Sequence, residues 1–498
     1  MNDKFRRLIR CRQHAWTSGD RSTYNKLRNQ VNQLSKRLRN QFYHRRIEGL
    51  RSSNPHDWWR RTKQLVGQQV KPQLQSLIND TASGDVQLLA DLINNALLHV
   101  SIDLAPLSDV SLLETTDIPS EYIFQSEEVY NLLLHVKTHK SPGPDEIPNW
   151  FLKEFAFAIA DPVCHIFNAS FSSGSVPDIW KRANVIPIPK ANPPKSICDD
   201  LRPISLTATL SKLLESLIGR RLLPKIVDKL DSKQFGALRG RSTTHALTAI
   251  THMWHQALDD RMSVRALFVD YSKAFDHVDH TTVLSKMAAL NADPCTIRWM
   301  HSFLSNRQQR VKIGSTVSQW TTLTGGMPQG TWFGPYVFLM LIDDLQPMLD
   351  TFKFVDDVTL REVVADPSIS QMQVAARQIV DWSSQNLMNI NTKKTKEMLL
   401  GSILSNSPPL ILLNDSTVER VTSFKLLGLT ITNNLNWEEH ITNVCNKANK
   451  RLHYLKLLKR CSVSVDDLLH YYKSVIRPTI EYACPVWLYL VLPMINEI

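Results

Sequence analysis

Apolar residues near the start of the chain recur every three or four positions, a spacing that places them on one face of a helix. Arginine and lysine flank this stripe, and Ser53-Asn54-Pro55 ends it. Trp58 and Trp59 are predicted to anchor a short second helix that ends near Gly67. The stripe consists of Tyr24, Leu27, Val31, Leu34, Leu38 and Phe42. We expect it to be a docking surface rather than a cofactor site.

Residues 64–139 have a different composition, with ten acidic and two basic residues. Pro, Ser and Asp are frequent between Leu104 and Ser120, and one apolar helix is predicted from Leu88 to Val100. We therefore expect residues 68–124 to be an acidic linker with one helix. From Lys140 onward, helical patterns alternate with short β-rich runs, which predicts a folded region of helices and strands.

Two apolar β-type runs end at carboxylates. The first starts at Ala266 and ends in Asp270, with a helix-like segment after it. Two shorter runs flank Asp356-Asp357, which predicts a hairpin with both aspartates at its turn. Adjacent carboxylates repel each other, so a divalent cation is the simplest compensation, and oxygen ligands suit Mg²⁺. Two ions about 3.5–4 Å apart would form a phosphoryl-transfer site.

Ordinary explanations compete with this one. An Asp-Asp pair is most often an exposed turn, but among the pairs of this chain only Asp356-Asp357 lies between β runs. Asp270 alone would serve as a helix N-cap. Two histidine pairs with ligand-like spacing have no matching partners, so we interpret them as structural or exposed. They are His135 with His139 and His252 with His255; the other aspartate pairs are Asp199-Asp200, Asp259-Asp260, Asp343-Asp344 and Asp466-Asp467. Of these, Asp343-Asp344 is expected to cap a helix end.

Composition limits the function further. A chain of 498 residues predicts two to four structural units. Its seven cysteines are scattered, which argues against zinc and disulfides and favours reduced intracellular thiols. The longest apolar run, from Trp332 to Ile342, is shorter than the roughly 18 residues of a membrane helix. We expect neither a membrane partner nor a signal peptide.

Basic charge is concentrated in residues 1–63, which hold 17 basic and four acidic residues for a net charge of +13. The whole chain carries +11, so the remainder is nearly neutral. A basic arm of this kind predicts a polyanionic partner, with nucleic acid favoured over a solvated helical face. The candidate nucleic-acid-binding residues are Arg6, Arg7, Arg37, Arg39, Arg45, Arg46, Arg60 and Arg61.

The order of several sequence blocks between about residues 125 and 487 resembles the reverse transcriptases of non-LTR (LINE-type) retrotransposons, especially the jockey-like group. The aspartate segments are similar to two palm motifs of that family, at Phe268–Asp276 and Phe354–Asp357. The other blocks are Ser141–Asp145, Val185–Lys190, Leu201–Leu206, Gln234–Gly236 with Arg239–Thr243, Gly326–Gly330, Asn391–Thr395, Leu427-Gly428 and Ile480–Trp487.

The resemblance implies an α+β right-hand polymerase: fingers, a palm with an antiparallel sheet and a partial helical thumb, preceded by the basic helical arm. The implied boundaries are 1–67 for the arm, 68–124 for the linker, 125–260 for the fingers, 261–432 for the palm and 433–498 for the thumb. The reverse transcriptase domain itself would cover about 170–432. Such a protein transfers nucleotides from dNTPs to a DNA primer on an RNA template.

The resemblance also implies roles for individual residues. Asp270, Asp356 and Asp357 would hold two Mg²⁺ ions, with Mn²⁺ as the alternative, and the carbonyl of Tyr271 would complete one shell. Lys190 and Arg202 would bind the triphosphate.

The remaining roles concern the sugar, the base and the leaving group. Phe275 would exclude a 2′-hydroxyl, although it could be a core residue, and Asp276 could instead hold the palm together. Gln329 and Gly330 would lie near the incoming base, or form an ordinary turn. Lys394, in competition with Lys393 and Lys396, would protonate pyrophosphate, or belong to a charged face.

Some features depart from the family. Val355 stands where many relatives have alanine, and Thr331-Trp332-Phe333 stands where smaller apolar residues are common. We expect a fragment without an endonuclease domain or zinc knuckle and with an incomplete thumb. A catalytically inactive nucleic-acid binder is therefore the alternative function. A group II intron maturase or a telomerase-type enzyme fits the blocks less well. The family implies nuclear localisation, while the oligomeric state stays open.

Overall fold

The computed structural model describes residues 3–47, 74–107, 118–366, 369–402, 407–460 and 463–488. The chain divides into two units. One unit consists of Met1–Lys71 with Trp437–Ile498, and the other of Pro72–Asn436. No helix among the described residues has the length and apolarity that crossing a membrane requires.

The N-terminal part of the first unit is a pair of helices, α1 (Asp3–Thr17) and α2 (Arg21–Ile47). Their rings meet at the connection, where Trp16 and Tyr24 lie with centroids 5.0 Å apart. Val31 in the middle of the predicted stripe is buried, so the predicted amphipathic helix is confirmed. The predicted break at Ser53-Asn54-Pro55 and the helix anchored by Trp58 and Trp59 lie outside the described residues.

Among its described residues, the second unit contains helices together with two five-stranded and two two-stranded sheets. The helices are α3 (Gln75–Ala82), α4 (Val86–Leu98), α5 (Ser126–Leu134), α6 (Asn149–Glu154), α7 (Ala156–Ser173), α8 (Asp178–Lys181), α9 (Thr209–Ile226), α10 (Thr243–Asp259), α11 (His280–Ala289), α12 (Pro294–Leu304), α13 (Gly334–Ile342) and α14 (Met372–Gln385). The three-residue 3₁₀ segments are His99–Ser101, Ser120–Tyr122 and Val227–Lys229. Asp343 follows the last residue of α13, which confirms the predicted helix end.

The strands of this unit are mostly short. They are β1 (Arg182–Pro189), β2 (Leu201–Leu206), β3 (Ser263–Val269), β4 (Gln308–Ile313), β5 (Thr316–Val317), β6 (Thr321–Thr322), β7 (Asp350–Phe354), β8 (Asp357–Val364), β9 (Lys396–Leu400), β10 (Leu412–Leu413), β11 (Ser416–Thr417), β12 (Glu419–Arg420), β13 (Ser423–Leu426) and β14 (Leu429–Thr432). The C-terminal part of the first unit contains α15 (Glu438–Arg460), α16 (Val465–Tyr471), a π-helical turn (Tyr472–Ile476) and α17 (Arg477–Ile480).

The central sheet has the order β12-β9-β3-β8-β7. Every residue of β3 is buried, which explains the apolar run from Ala266 to Val269. The buried Arg265 earlier in the strand pairs with Glu397 of β9. Antiparallel pairing with β8 on one side and β9 on the other holds β3 at the middle. The hairpin of β7 and β8 closes at Val355 and Asp356, since Phe354 pairs with Asp357. The predicted hairpin is therefore confirmed.

The second sheet has the order β2-β1-β4-β5, with β6 also paired to β4. β1 and β2 are antiparallel, whereas β1 and β4 run parallel although more than a hundred residues separate them. The prediction of a linker with one helix over 68–124 needs correction. The structure places two helices there, and α3 and α4 bury Leu77, Leu89 and Ile93 against Val185 and Val311 of this sheet. Acidic residues had suggested a linker; among the described residues of this segment, Asp80, Asp85 and Asp103 are exposed.

Candidate active site

Asp270 follows the last residue of β3, and the loop at 391–395 fixes its backbone. Its amide donates a hydrogen bond to Thr395 Oγ1 at 3.2 Å. Its carbonyl accepts one from the amide of Asn391 at 2.7 Å. The helix-like segment predicted after Asp270 is a series of turns, and α11 starts only at His280. Asp270 is therefore a strand-end residue and not a helix N-cap.

Asp356 lies in the turn of the β7–β8 hairpin, and Asp357 opens β8. β3 and β8 are hydrogen-bonded neighbours, with Val269 opposite Val358. The end of β3 that carries Asp270 therefore lies beside the start of β8. This register brings the three predicted carboxylates together where β3 ends and β8 begins in the central sheet.

The three carboxylates influence one another electrostatically. Burial raises the pKa of Asp356, and the charge of Asp270 raises it further. Asp357 is exposed along part of its side chain. Loss of hydration around its carboxyl group, with Asp356 and Asp270 nearby, still raises the pKa to about 6. Burial also raises the pKa of Asp270. Keeping all three groups ionised is therefore unfavourable without a cation.

The donor set suits a hard divalent cation, although the side chains are not arranged as a finished metal site. Within the described ranges, no group of three His, Cys, Asp or Glu side chains is placed to hold a metal ion. Asp270 Oδ2, however, is buried without a hydrogen-bond partner. Acceptor-only oxygens that repel one another are the ligands Mg²⁺ prefers.

Replacing Asp357 with asparagine is expected to raise the melting temperature in the absence of metal. A raised pKa means that the folded state binds the proton more tightly, so wild-type stability falls as pH rises from about 4 through about 6. The difference in melting temperature between the variant and the wild type should grow over this pH range and level off above it. Thermal unfolding at pH 5 and pH 8 measures this difference.

Magnesium should reduce the difference in melting temperature at pH 8, because an ion that binds only the folded wild type stabilises the wild type. Asp260→Asn, at the exposed end of α10, is the control and should show no such pH dependence. A difference that is the same at both pH values would contradict the prediction.

Three cationic side chains predicted to contact the substrate surround these carboxylates. Lys394 Nζ lies 3.9 Å from Asp270 Oδ2. The charge of Arg202 lowers the pKa of Asp356. Burial lowers the pKa of Lys190, and the positive charges of Lys394 and Arg202 lower it further. The structure therefore brings together residues that are widely separated in sequence.

Side-chain contacts distinguish Lys394 from Lys396 in the 391–396 region. Lys396 Nζ pairs with Glu419 Oε2 at 2.7 Å and donates to the carbonyl of Lys393. Lys394 is exposed and is the one ion-paired to Asp270. Of these side chains, Lys394 thus has the geometry that fits a role beside the carboxylates.

The loop at 326–330 is fastened to the segment after Asp270. The amide of Met327 donates to the carbonyl of Phe275 at 2.7 Å, and the amide of Gly326 donates to the carbonyl of Val278 at 2.8 Å. The Phe275 ring stacks on Phe338 of α13, with centroids 5.0 Å apart. Phe275 is partly buried, so the core interpretation and the sugar-contact interpretation are both compatible with its position.

Gln329 and Gly330 connect this loop to β2. The carbonyl of Gln329 accepts a hydrogen bond from the amide of Ser205 at 2.8 Å. Gly330 has φ +125°, and a side chain there would lie 2.9 Å from the carbonyl oxygen of Ser205, so only glycine fits. Gln329 Nε2 is 3.4 Å from Asp276 Oδ1. Burial raises the pKa of Asp276 to about 6.

Glu215 is a residue of this region that motif reasoning missed. It is fully buried on α9 and accepts hydrogen bonds from the amides of Trp332 and Phe333, at 2.8 and 3.2 Å. Burial raises its pKa, while the positive charge of Arg307 opposes that shift. Its carboxylate thus holds the start of α13 behind the 326–330 loop. The available signal was a glutamate at a position flanked by Leu214 and Leu217 of the same helix, both of which are buried.

Tyr271 adjoins Asp270, whereas the histidine pairs and the arm arginines lie elsewhere in the chain. Tyr271 is buried, its hydroxyl lies 3.4 Å from Ser383 Oγ, and its backbone forms a bridge to Ile390. His252 and His255 lie on α10, and His135 Nδ1 contacts the carbonyl of Asn131. The arginines of the arm lie on α1 (Arg6, Arg7) and α2 (Arg37, Arg39, Arg45, Arg46), whereas Arg60 and Arg61 fall outside the described residues.

A strand-end aspartate beside an aspartate hairpin, in a mixed helix-and-sheet unit, is an arrangement that suits two-metal phosphoryl transfer. Residues 188–431, just under half of the chain, match the family described as reverse transcriptase (RNA-dependent DNA polymerase). The sequence is similar to proteins of jockey, X-element and R1 mobile elements, which are non-LTR retrotransposons.

Three relatives show the extent of the similarity. The probable RNA-directed DNA polymerase from transposon X-element of Drosophila melanogaster is 26% identical over 73% of this chain and 41% of its own length. The RNA-directed DNA polymerase from mobile element jockey of the same species is 27% identical over 72% and 41%. The Pol polyprotein of the type-1 retrotransposable element R1 from Bradysia coprophila is 25% identical over 87% and 44%. The chain thus covers about two fifths of each relative.

Proposed function

We propose that this chain is an RNA-directed DNA polymerase of a non-LTR retrotransposon, which adds deoxynucleotides to a DNA primer on an RNA template. The observation that carries the proposal is the meeting of Asp270, Asp356 and Asp357 at one end of strands β3 and β8, where, in addition to burial, the charge of Asp270 raises the pKa of Asp356, and both charges raise the pKa of Asp357. The names of the relatives support the same reaction.

We assign regions of the chain by comparison with the right-hand polymerases. The central sheet within 261–432 would be the palm, the region over 125–260 the fingers, and α15 to α17 within 433–498 a partial thumb. Strands β4 to β6 complicate this division, because they lie within 261–432 but complete the sheet of β1 and β2. Fingers and palm would thus share a sheet, which would couple the triphosphate-binding strands to the 326–330 loop.

Asp270, Asp356, Asp357 and the carbonyl of Tyr271 are the groups that would hold two Mg²⁺ ions, with Mn²⁺ as a substitute. When bound, such ions acidify the primer 3′-hydroxyl and neutralise charge on the triphosphate. The protein side chains contribute the rest. Arg202 and Lys190 would orient the triphosphate, because a guanidinium offers a fork of donors and an ammonium a point charge.

Lys394 would donate a proton to the departing pyrophosphate, since its ammonium lies beside Asp270 and reaches solvent. Phe275 would lie under the sugar, and Gln329 with Gly330 would contact the base pair being formed. The side chain of Asp276 would hold Gln329 in place rather than bind a metal, given its contact with Gln329 Nε2.

Primer extension tests the proposal. The purified protein, a primed RNA, Mg²⁺ and four dNTPs should give a ladder of extended DNA, and ribonucleotides should give far less. Absence of extension, with a folded protein that still binds primed RNA, would overturn the polymerase proposal. The alternative, a non-enzymatic nucleic-acid binder, would then hold. From the family we also propose nuclear localisation, which imaging of the tagged protein would test.

The basic arm favours the binding activity that both functions require. Changing Arg6, Arg7 and Arg37 to glutamate should weaken RNA affinity and flatten its salt dependence. If each arginine neutralises one phosphate, the slope of log K against log salt should fall by about 2, since each contact contributes roughly 0.7–0.9. Fluorescence anisotropy over a salt series measures the slope.

The matched control makes the same charge change on exposed residues of the other unit, Arg220, Lys229 and Arg377. If both triple variants lose the same slope, the effect comes from net charge, and the arm is not the binding surface.

A further inference from the structure

The segment Asp231–Gly236 runs beside β7 and acts as an additional edge of the central sheet. The amide of Phe235 donates to the carbonyl of Lys353 at 2.8 Å, and the amide of Lys353 donates to the carbonyl of Lys233 at 3.0 Å. The buried ammonium of Lys353 also pairs with Asp231 at 2.9 Å. These contacts fix the segment independently of the side chain of Gln234.

The turn that carries Asp356 has an unfavourable backbone conformation. Val355 adopts φ +59°, in the left-handed region that β-branched residues avoid. A turn of this kind persists only when the surroundings hold it. Relaxation of Val355 would rotate the adjoining peptide and move Asp356 away from Asp270.

The carboxamide of Gln234 provides that hold. Its Oε1 accepts hydrogen bonds from the amide of Val355 at 3.0 Å and from the amide of Gly236 at 2.8 Å. The residue is only 2% exposed, so water cannot replace this acceptor. The segment also follows the turn closely, because a side chain at Gly236 would lie 2.5 Å from both Val355 N and Val355 Cγ2.

We propose that Gln234 is a positioning residue of the polymerase reaction: it keeps Val355 in the left-handed conformation and thereby aims Asp356 at the metal-binding edge. This inference rests on the function proposed above. It adds a role for the Gln234–Gly236 block, which touches none of the reacting groups and acts through the turn.

Gln234→Met tests the role, because methionine nearly preserves the volume and removes the acceptor. The variant should lower kcat for single-nucleotide incorporation by about 10–100-fold, the cost of a displacement of about 1 Å at a reacting centre. The KM for dNTP should change less than about threefold, and half-maximal activity should need more Mg²⁺. Gln378→Met is the control, since Gln378 accepts a backbone hydrogen bond from Met348 far from the turn.

A second substitution separates positioning from general stability. Val355→Gly should restore most of the activity lost in Gln234→Met, because glycine adopts positive φ without strain and does not need the hydrogen bond to Gln234. A structural defect elsewhere would not respond to a change in the turn. Wild-type activity in Gln234→Met, or no recovery in the double variant, would overturn the proposal.

Hydrogen exchange keeps this test distinct from failure of the proposed function. If the wild type does not extend primers, the polymerase proposal fails, but the hydrogen bond between the Val355 amide and Gln234 can still be tested. The Val355 amide should then exchange faster in Gln234→Met than in wild type, while the amide of Lys353 should stay protected. Equal exchange rates at the Val355 amide in both proteins would show that Gln234 does not hold this turn.

Discussion

Replacing Asp356 and Asp357 together with asparagine is expected to lower deoxynucleotide incorporation by at least about a thousandfold, equivalent to about 4 kcal/mol of transition-state stabilisation. Asparagine keeps the shape of each side chain but removes the charge that would attract divalent cations. Asp356 lies in the hairpin turn and Asp357 opens β8, both beside Asp270, so no carboxylate remains at that end of the hairpin. Primer extension under single-turnover conditions measures the loss.

Binding of primed RNA should survive this change, because the basic arm and the phosphate-binding cations are untouched. The matched control is Asp259→Asn/Asp260→Asn, an exposed aspartate pair at the end of α10, which should keep wild-type activity. Extension by the Asp356→Asn/Asp357→Asn variant would show that the chemistry uses other groups. Loss of both binding and extension would point to misfolding, which circular dichroism would reveal.

Phe275→Val is expected to increase ribonucleotide incorporation relative to deoxynucleotide incorporation by about 100-fold, or about 2.7 kcal/mol of lost discrimination. The ring stacks on Phe338, and the Phe275 carbonyl accepts a hydrogen bond from Met327 of the 326–330 loop, so the ring cannot easily move away from a sugar placed above it. Valine removes the part of the ring that would meet a 2′-hydroxyl. The ratio of kcat/KM for rNTP and dNTP measures the effect.

Phe275→Tyr provides the conservative control, because it keeps the ring and should keep the selectivity. Phe157→Val, at an exposed phenylalanine of α7, tests for unspecific effects. If Phe275→Val lowers activity with both kinds of nucleotide and leaves their ratio unchanged, Phe275 is a core residue that supports α13 and not a contact of the sugar.

The sequence alone was sufficient to predict the aspartates and the elements that carry them. A buried apolar run ending in Asp270, and two short β runs around Asp356-Asp357, are local patterns, and the structure contains both as predicted. The same holds for the amphipathic helix with Val31 on its buried face. These features depend on spacing within a few residues, which the chain encodes directly.

Other features could not be predicted, because they depend on contacts between distant parts of the chain. Charge suggested a linker over 68–124, but packing of Leu89 and its neighbours on a sheet made that region part of the fold. The sequence left three lysines near position 394 in competition for one role. In the structure, Lys396 pairs with Glu419, whereas Lys394 lies beside Asp270.

The identity and order of the carboxylates were thus determined by the sequence itself, since strand patterns and turn residues act locally. Only the tertiary structure decided what holds those carboxylates in place: Glu215 behind the 326–330 loop, and Gln234 at the Val355 turn. Both are polar groups whose cost of burial is offset by backbone amides more than a hundred residues away. Such pairings exist only once the sheets and helices have packed.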